Sequence, residues 1–318
     1  MRASGSTAGM GLALVSAATF GTSGPFASSL LRAGWTAGAA VTVRVVIAAV
    51  VLTVPALFAL RGRFGQLCRS GGTVAVYGVV AVAGAQLCYF NAVAHVSVAV
   101  ALLLEYSGVL LVVGWMWARH GHRPGLLTGL GGLGAVVGLA FVLDLLGSRG
   151  VDPVGVLWGL GAAVGLAVYF VVSSRTEDAL PPLVVAWGGL VVGALALLLA
   201  GAAGALPLAA PRSDVTLASL RVSWIVPVLG MSLLAAAVAY VAGILGARLL
   251  GARVASFVGL TEVLFAVLFA WLLLGQAPRP VQLAGGLLVV AGIALVRLDE
   301  RPGETAAPAH LQLAVAEG

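Results

Sequence analysis

The chain has 318 residues and a formal net charge of +6; 61% of its residues are hydrophobic, only 9% are charged, and its mean hydropathy is +1.12. A soluble globular domain is excluded by this balance, and several apolar runs of about twenty residues fit an all-α polytopic membrane protein. A transmembrane β-barrel would show short alternating segments instead.

No lysine occurs, so the whole positive charge comes from arginines placed singly or in small groups between apolar runs. Arginines spread in this way report topology and give no reason to expect a nucleic-acid partner. Cys68 falls in a loop and Cys88 well inside the next apolar run, about 25 to 30 Å away along a helix, too far for a disulfide.

In chain order, the first span covers residues 10–31, and Gly24 and Pro25 predict a break or kink inside it. It lacks the charged start and small-residue cleavage site of a signal peptide. Spans follow at 37–60, with Arg44 inside, at 72–94, ending near the polar-aromatic cluster Tyr89, Phe90 and Asn91, at 96–118, with Glu105 near its middle, and at 125–143. The polar stretch 144–153 is the natural seam. Beyond it come spans at 154–174, 183–203, 224–245, 254–275 and 281–298, ten in all, and then a mixed, charged segment at 299–318 that reads as a flexible cytoplasmic tail.

The span at 254–275, VASFVGLTEVLFAVLFAWLLLG, is apolar except for Glu262, and superposing Glu105 on Glu262 also brings the connector Arg123-Pro124 close to Arg279-Pro280. The chain therefore reads as a first repeat at 1–145, a connecting loop at 146–153 and a second repeat at 154–298. With the amino terminus in the cytoplasm, eleven loop arginines fall inside and five outside, so both termini are expected in the cytoplasm. An odd number of spans per repeat makes the second repeat enter from the opposite side. Inverted five-helix repeats of this kind place substrate near the midplane, where the halves meet.

Three ionisable groups are expected at depth: Glu105 about 14 Å from the outer face, Glu262 about 12 Å from the inner face and Arg44 about 11 Å below the outer face. A charge at the bilayer centre costs on the order of 2.5 to 3.5 kcal/mol on insertion scales, which makes Arg44, Glu105 and Glu262, with Tyr89 and Asn91 nearby, the candidate substrate- and proton-binding residues. Two plainer explanations stay open: Arg44 snorkelling to the headgroups, and protonated carboxyls serving as packing contacts.

Other motifs carry less. Gly129, Gly131 and Gly134 match G-x-G-x-x-G without the strand-to-helix setting that a dinucleotide site needs. Paired small residues such as Gly134 and Gly138, Gly161 and Gly165, or Gly189 and Gly193 read as close helix contacts. His120 and His122 read as solvated loop residues, and His95 as an interfacial polar cap. No cofactor or metal site is expected, and the lack of lysine removes a phosphate-loop lysine.

The stretch LTEVLFAVLFAWLLLGQAPRPVQLAGGLLVVAGIALV, 260–296, resembles the carboxy-terminal half of EamA-type members of the drug/metabolite transporter superfamily: the glutamate, the WLLLG ending, the proline connector and Gly285-Gly286 occur in order. GTSGPFASSLL, 21–31, resembles the family's first helix. ALLLEYSGVL around Glu105 and TVRVVIAAVVL around Arg44 are similar to the threonine/homoserine exporter subgroup. Val109 and Val263 stand where the family often has proline, and Gln276 where it usually has an acidic residue.

The resemblance implies an exporter in the cell (plasma) membrane. The residues themselves suggest a small polar, amino-acid-like metabolite, with Arg44 facing a carboxylate and a glutamate facing an ammonium. With both glutamates and Arg44 ionised the site would hold −1, which points to a proton entering during the cycle and to antiport, with Glu262 the preferred coupling residue. The alternatives are a multidrug or cationic-compound exporter, which would dispense with Arg44, and a sugar- or nucleotide-derivative transporter, which would want more basic groups. A membrane enzyme is not expected, since no nucleophile or metal constellation is visible. Expected partners are the small-molecule substrate, membrane lipid and protons; a homodimer is left open.

Overall fold

A computed structural model describes residues 2–96, 98–120, 125–142, 152–174, 180–275 and 280–298. The seam at 146–151, His122 and the segment 299–318 lie outside the described residues.

The first half contains α1 (Arg2–Gly21), α2 (Ser23–Arg32), α3 (Ala37–Leu60), α4 (Phe64–Arg69), α5 (Gly71–Val76), a π-helical segment at Tyr77–Gly84, α6 (Ala85–His95), α7 (Val98–Tyr106), α8 (Gly108–His120) and α9 (Leu126–Val142). The second contains α10 (Pro153–Ser173), α11 (Pro182–Ala202), strands β1 (Val215–Leu217) and β2 (Leu220–Val222), α12 (Ile225–Leu229), a second π-helical segment at Gly230–Val238, α13 (Ala239–Gly259), α14 (Thr261–Leu274) and α15 (Pro280–Leu298). Among the described residues, five helical runs are long and apolar enough to cross a membrane: Ala37–Leu60, Gly71–His95, Pro153–Ser173, Pro182–Ala202 and Ile225–Gly259. The other apolar stretches are shorter or interrupted helices.

The ends follow from local chemistry. Thr36 caps α3, its hydroxyl accepting from the Ala39 amide, and Asp152 caps α10 ahead of a proline in the first turn, where a missing N–H costs nothing. Gly275 ends α14 with φ of +71°, a left-handed position that favours glycine. α13 bends at Gly251, where φ is +79°, so its first part continues the preceding span and its last part begins the Glu262 span.

Three stretches that the sequence presents as single spans are broken. The first turns at Thr22, three residues before Pro25, and Gly24 and Pro25 lie buried in the opening turn of α2. The Glu105 span breaks at Ser107 and the Glu262 span at Leu260, in both cases without a proline. Glycines flank these two breaks, Gly108 and Gly259. A β-carbon at Gly259 would lie 2.7 Å from the Phe170 ring, so close helix contact accounts for that glycine.

The two halves interlock. α1 packs on α13, and the counterpart pair with the halves exchanged, α10 on α6, packs likewise; α3 meets α11, and α9 meets α15. Contacts that come in exchanged pairs are what a two-fold relation between repeats produces. The π segments obey the same rule: that of the first half packs against α11, and that of the second against α3. Outward-facing residues such as Val54, Phe58, Leu157 and Leu199 are apolar and exposed, as lipid requires.

Between α11 and α12 the chain forms a strap. Thr36 Oγ1 donates to the Pro207 carbonyl at 2.7 Å, Trp35 Nε1 donates to the Pro211 carbonyl at 2.8 Å, and the Ala218 amide at the hairpin tip donates to the Leu273 carbonyl at 2.6 Å. The strap thus joins the α2–α3 turn to the last turn of α14.

Candidate functional site

Among the described residues, Arg44 on α3 is the largest side chain buried completely, at 0% exposure. An arginine so placed needs acceptors, and it finds them on three elements. Nη1 donates to Ser23 Oγ at 2.8 Å and to Gln86 Oε1 at 2.6 Å, and Nη2 donates to the carbonyl of Ala235 in the second π segment. Ser23 is there because α1 stops at Thr22 and α2 starts with it; Gln86 is the second residue of α6. The guanidinium carbon also lies 6.0 Å from the centroid of Phe20 and 5.9 Å from that of Phe90, within cation–π range. Nε has no partner.

On the other side of Ser23 and Gln86 is a cavity between the halves, with about 700 Å³ of empty space counted out to its open mouth. Glu105, Glu262, Tyr89, Tyr106, Tyr169 and Tyr240 line it, while Arg44 does not. Glu105 is the penultimate residue of α7, just before Tyr106, and is 7% exposed. Glu262 is the second residue of α14. The two carboxyls therefore stand at opposite poles of their helices, Glu262 where amides converge and Glu105 where carbonyls do.

Tyr106 connects the two breaks. Its hydroxyl lies 2.7 Å from Glu262 Oε2 and 2.8 Å from the Gly259 carbonyl, and a phenol has one proton to give. That proton is shared between the two acceptors in a three-centre bond, and each contact is a full hydrogen bond only when the Glu262 carboxyl carries a proton of its own.

The remaining predicted residues separate. Tyr89 faces the central cavity. Asn91, two residues on, donates from Nδ2 to the Leu87 carbonyl at 2.8 Å and lines a separate vestibule with Arg32, Trp35 and Thr36. His95, beyond it, sits with Nδ1 3.0 Å from Asp152 Oδ2, joining the end of α6 to the cap of α10. The Asp152 carboxyl is held below its usual range, first by the Val154 amide and then by His95. Sequence reasoning passed over Ser23, Gln86, Tyr106, Tyr169 and Tyr240. The available signal was polarity inside an apolar run, for in lipid a buried amide or phenol needs a reason to be there.

Among solved structures the fold recurs: a chain described only as "Crystal structure of protein" superposes with a TM-score of 0.71 at 20% identity, covering 95% of this chain and 100% of that one. That likeness shows the fold alone. No curated protein matches the chain. Residues 7–144 and 153–298 each match the EamA-like transporter family, one match per half, and the chain belongs to that family of membrane transporters in the drug/metabolite superfamily.

Proposed function

We propose that the protein is a secondary transporter exporting a small polar metabolite that bears an ammonium group, held between Glu105 and Glu262. The observation that carries this reading is that the two carboxyls, one from each half, line one cavity where the halves meet. Ten crossings, inverted repeats and cytoplasmic termini in the plasma membrane complete it, supported by the arginine distribution and the exchanged helix contacts. Outward direction and kinship with the threonine/homoserine exporters rest on the resemblance of 42–52 and 101–110.

Alternating access then needs only that substrate and proton compete for one carboxyl. Glu262 is our candidate, because the single Tyr106 proton leaves a place for one on the carboxyl. The pairing of Arg44 with a substrate carboxylate is a narrower matter, since its fork would first have to leave Ser23 and Gln86.

Proteoliposomes carrying the full chain test this. A pH gradient, acid on the side toward which substrate moves, should accelerate transport of a labelled amine at least tenfold. Glu262→Gln should abolish that acceleration and keep part of the substrate exchange. A Glu262→Gln protein that responds to the gradient as the parent does would remove Glu262 from coupling.

A further inference from the structure

On the reading just given, we propose that the cavity selects a small monocation that carries an amine and no carboxylate. The lining has two carboxylates and no basic side chain among the described residues, because Arg44 lies behind Ser23 and Gln86, which are themselves part of the wall. Both terminal nitrogens of Arg44 are engaged, by Ser23 and Gln86 on one and by the Ala235 carbonyl on the other. Of the five N–H groups, Nε–H and one on Nη2 remain, but Arg44 is wholly buried and is no part of the cavity lining, so neither is presented to a substrate there. Turning the fork toward a substrate would leave three buried acceptors on three elements unpaired. The guanidinium is a fixed support behind the cavity wall.

Charge balance favours the same class. Glu105, Glu262 and Arg44 together hold −1 when all are ionised, and the tyrosine hydroxyls add none. A monocation brings the site to zero, and so does one proton, so the two are interchangeable by charge and compete. A zwitterion brings no net charge, leaves −1 in a water-poor site and does not replace a proton. The rest of the lining suits an organic cation: Phe20, Tyr169 and Tyr240 form a ring cluster, with Phe20 5.1 Å from Tyr240 and 6.2 Å from Tyr169, and Tyr169 5.9 Å from Tyr240, all edge-on to one another. Aromatic faces attract an ammonium, and carboxylates gain nothing from them.

The test uses pairs that differ only by the carboxylate: 1-aminopropan-2-ol with threonine, 3-aminopropan-1-ol with homoserine, and tyramine with tyrosine. Counterflow of each labelled compound is measured in proteoliposomes of the unaltered chain, and binding to the detergent-solubilised protein by calorimetry. The amine should exchange at least tenfold faster than its amino acid in at least one pair, bind where the amino acid does not, and bind more weakly in Glu105→Gln and Glu262→Gln. An amino acid exchanging as fast as or faster than its amine in the pairs that move overturns the inference and leaves the ammonium-binding transporter standing. If no amine binds at millimolar concentration while a neutral sugar derivative or a nucleotide derivative is transported, the inference and the ammonium site fall together.

Discussion

α3 and α11 occupy equivalent places in the two halves, and each packs on the π-helical segment of the other half, but they do so by different chemistry. α3 brings a buried arginine whose fork reaches the backbone of the second π segment at Ala235. α11 brings glycines: Gly189 lies against the ring of Tyr77 and Gly193 against the carbonyl of Gly78, both in the first π segment. One contact is a polar tie and the other is close packing at glycine, against a ring and a backbone carbonyl. A duplicated scaffold can thus keep its packing while its charge becomes one-sided, and the same holds for the carboxyls, which flank their helix breaks from opposite sides. The Arg44 tie sits on the side where α1 stops, at Thr22, and Ser23 is released to meet it.

The largest effects should come from exchanging the two carboxyls' fates. Glu105→Gln is expected to lower transport of a labelled amine at least tenfold and still to show acceleration by a pH gradient; Glu262→Gln should lose the acceleration. Identical behaviour of the two variants would mean that the helix-pole difference is without consequence. Next comes the polar tie. Arg44→Met leaves the Ala235 carbonyl, Gln86 and Ser23 buried without their donor, at about 1 to 3 kcal/mol for each group left unpaired, so the thermal transition of the solubilised protein should fall sharply. Arg44→Lys keeps a charge and loses the fork; it should lower the transition less and leave the ratio of amine to amino-acid exchange unchanged. A lysine variant that is as stable as the parent yet loses most transport would return Arg44 to direct contact with substrate.

The glycine contact should respond more mildly. A β-carbon at Gly193 would stand 3.0 Å from the Gly78 carbonyl and 3.1 Å from Val82 Cγ1, so Gly193→Ala forces a small separation of α11 from the first π segment. Overpacking of this kind costs typically about 1 to 3 kcal/mol. A melting temperature equal to the parent's would show that this side of the pair tolerates play that the Arg44 side does not.

Much of this was legible in the sequence, for a clear reason: lipid imposes long apolar runs, and a charge within one stands out. The deep residues Arg44, Glu105 and Glu262 could be named, as could the break near Pro25, because proline removes a donor wherever it stands. The breaks at Ser107 and Leu260 were not legible, since Val109 and Val263 occupy the sites where proline would have announced them. Nor were the π segments, which change hydrogen bonding from i+4 to i+5 without any change in hydrophobic pattern. The partners of Arg44 were hidden for another reason. Burial predicts that a guanidinium must find acceptors, but Ser23, Gln86 and Ala235 are 21, 42 and 191 residues away, and only the fold brings them together. Tyr89 and Asn91 show the converse: neighbours in sequence, they open on different spaces because two residues are a little over half a turn of helix.

The smallest expected effect concerns the joint between α6 and α10, at the bundle's end. Asp152 serves twice there, accepting from the Val154 amide at 2.9 Å as the cap of α10 and facing His95 at 3.0 Å. Its carboxyl is held below the usual range by the amide first and by His95 second. A depressed folded-state pKa means that the unfolded chain takes up the proton first as pH falls. The stabilising contribution is therefore whole above the ordinary aspartate value of about 3.9 and disappears as pH drops through the lower, folded value. Asp152→Asn can still cap α10, so it removes the charge and little of the geometry. The melting temperatures of parent and variant, followed from neutral pH downward, should differ by a small constant amount and converge below about pH 4. His95→Gln should leave most of that convergence in place, because the amide is the stronger of the two causes. Parallel curves down to the lowest pH would mean that the cap alone, without its charge, joins the two halves at this end.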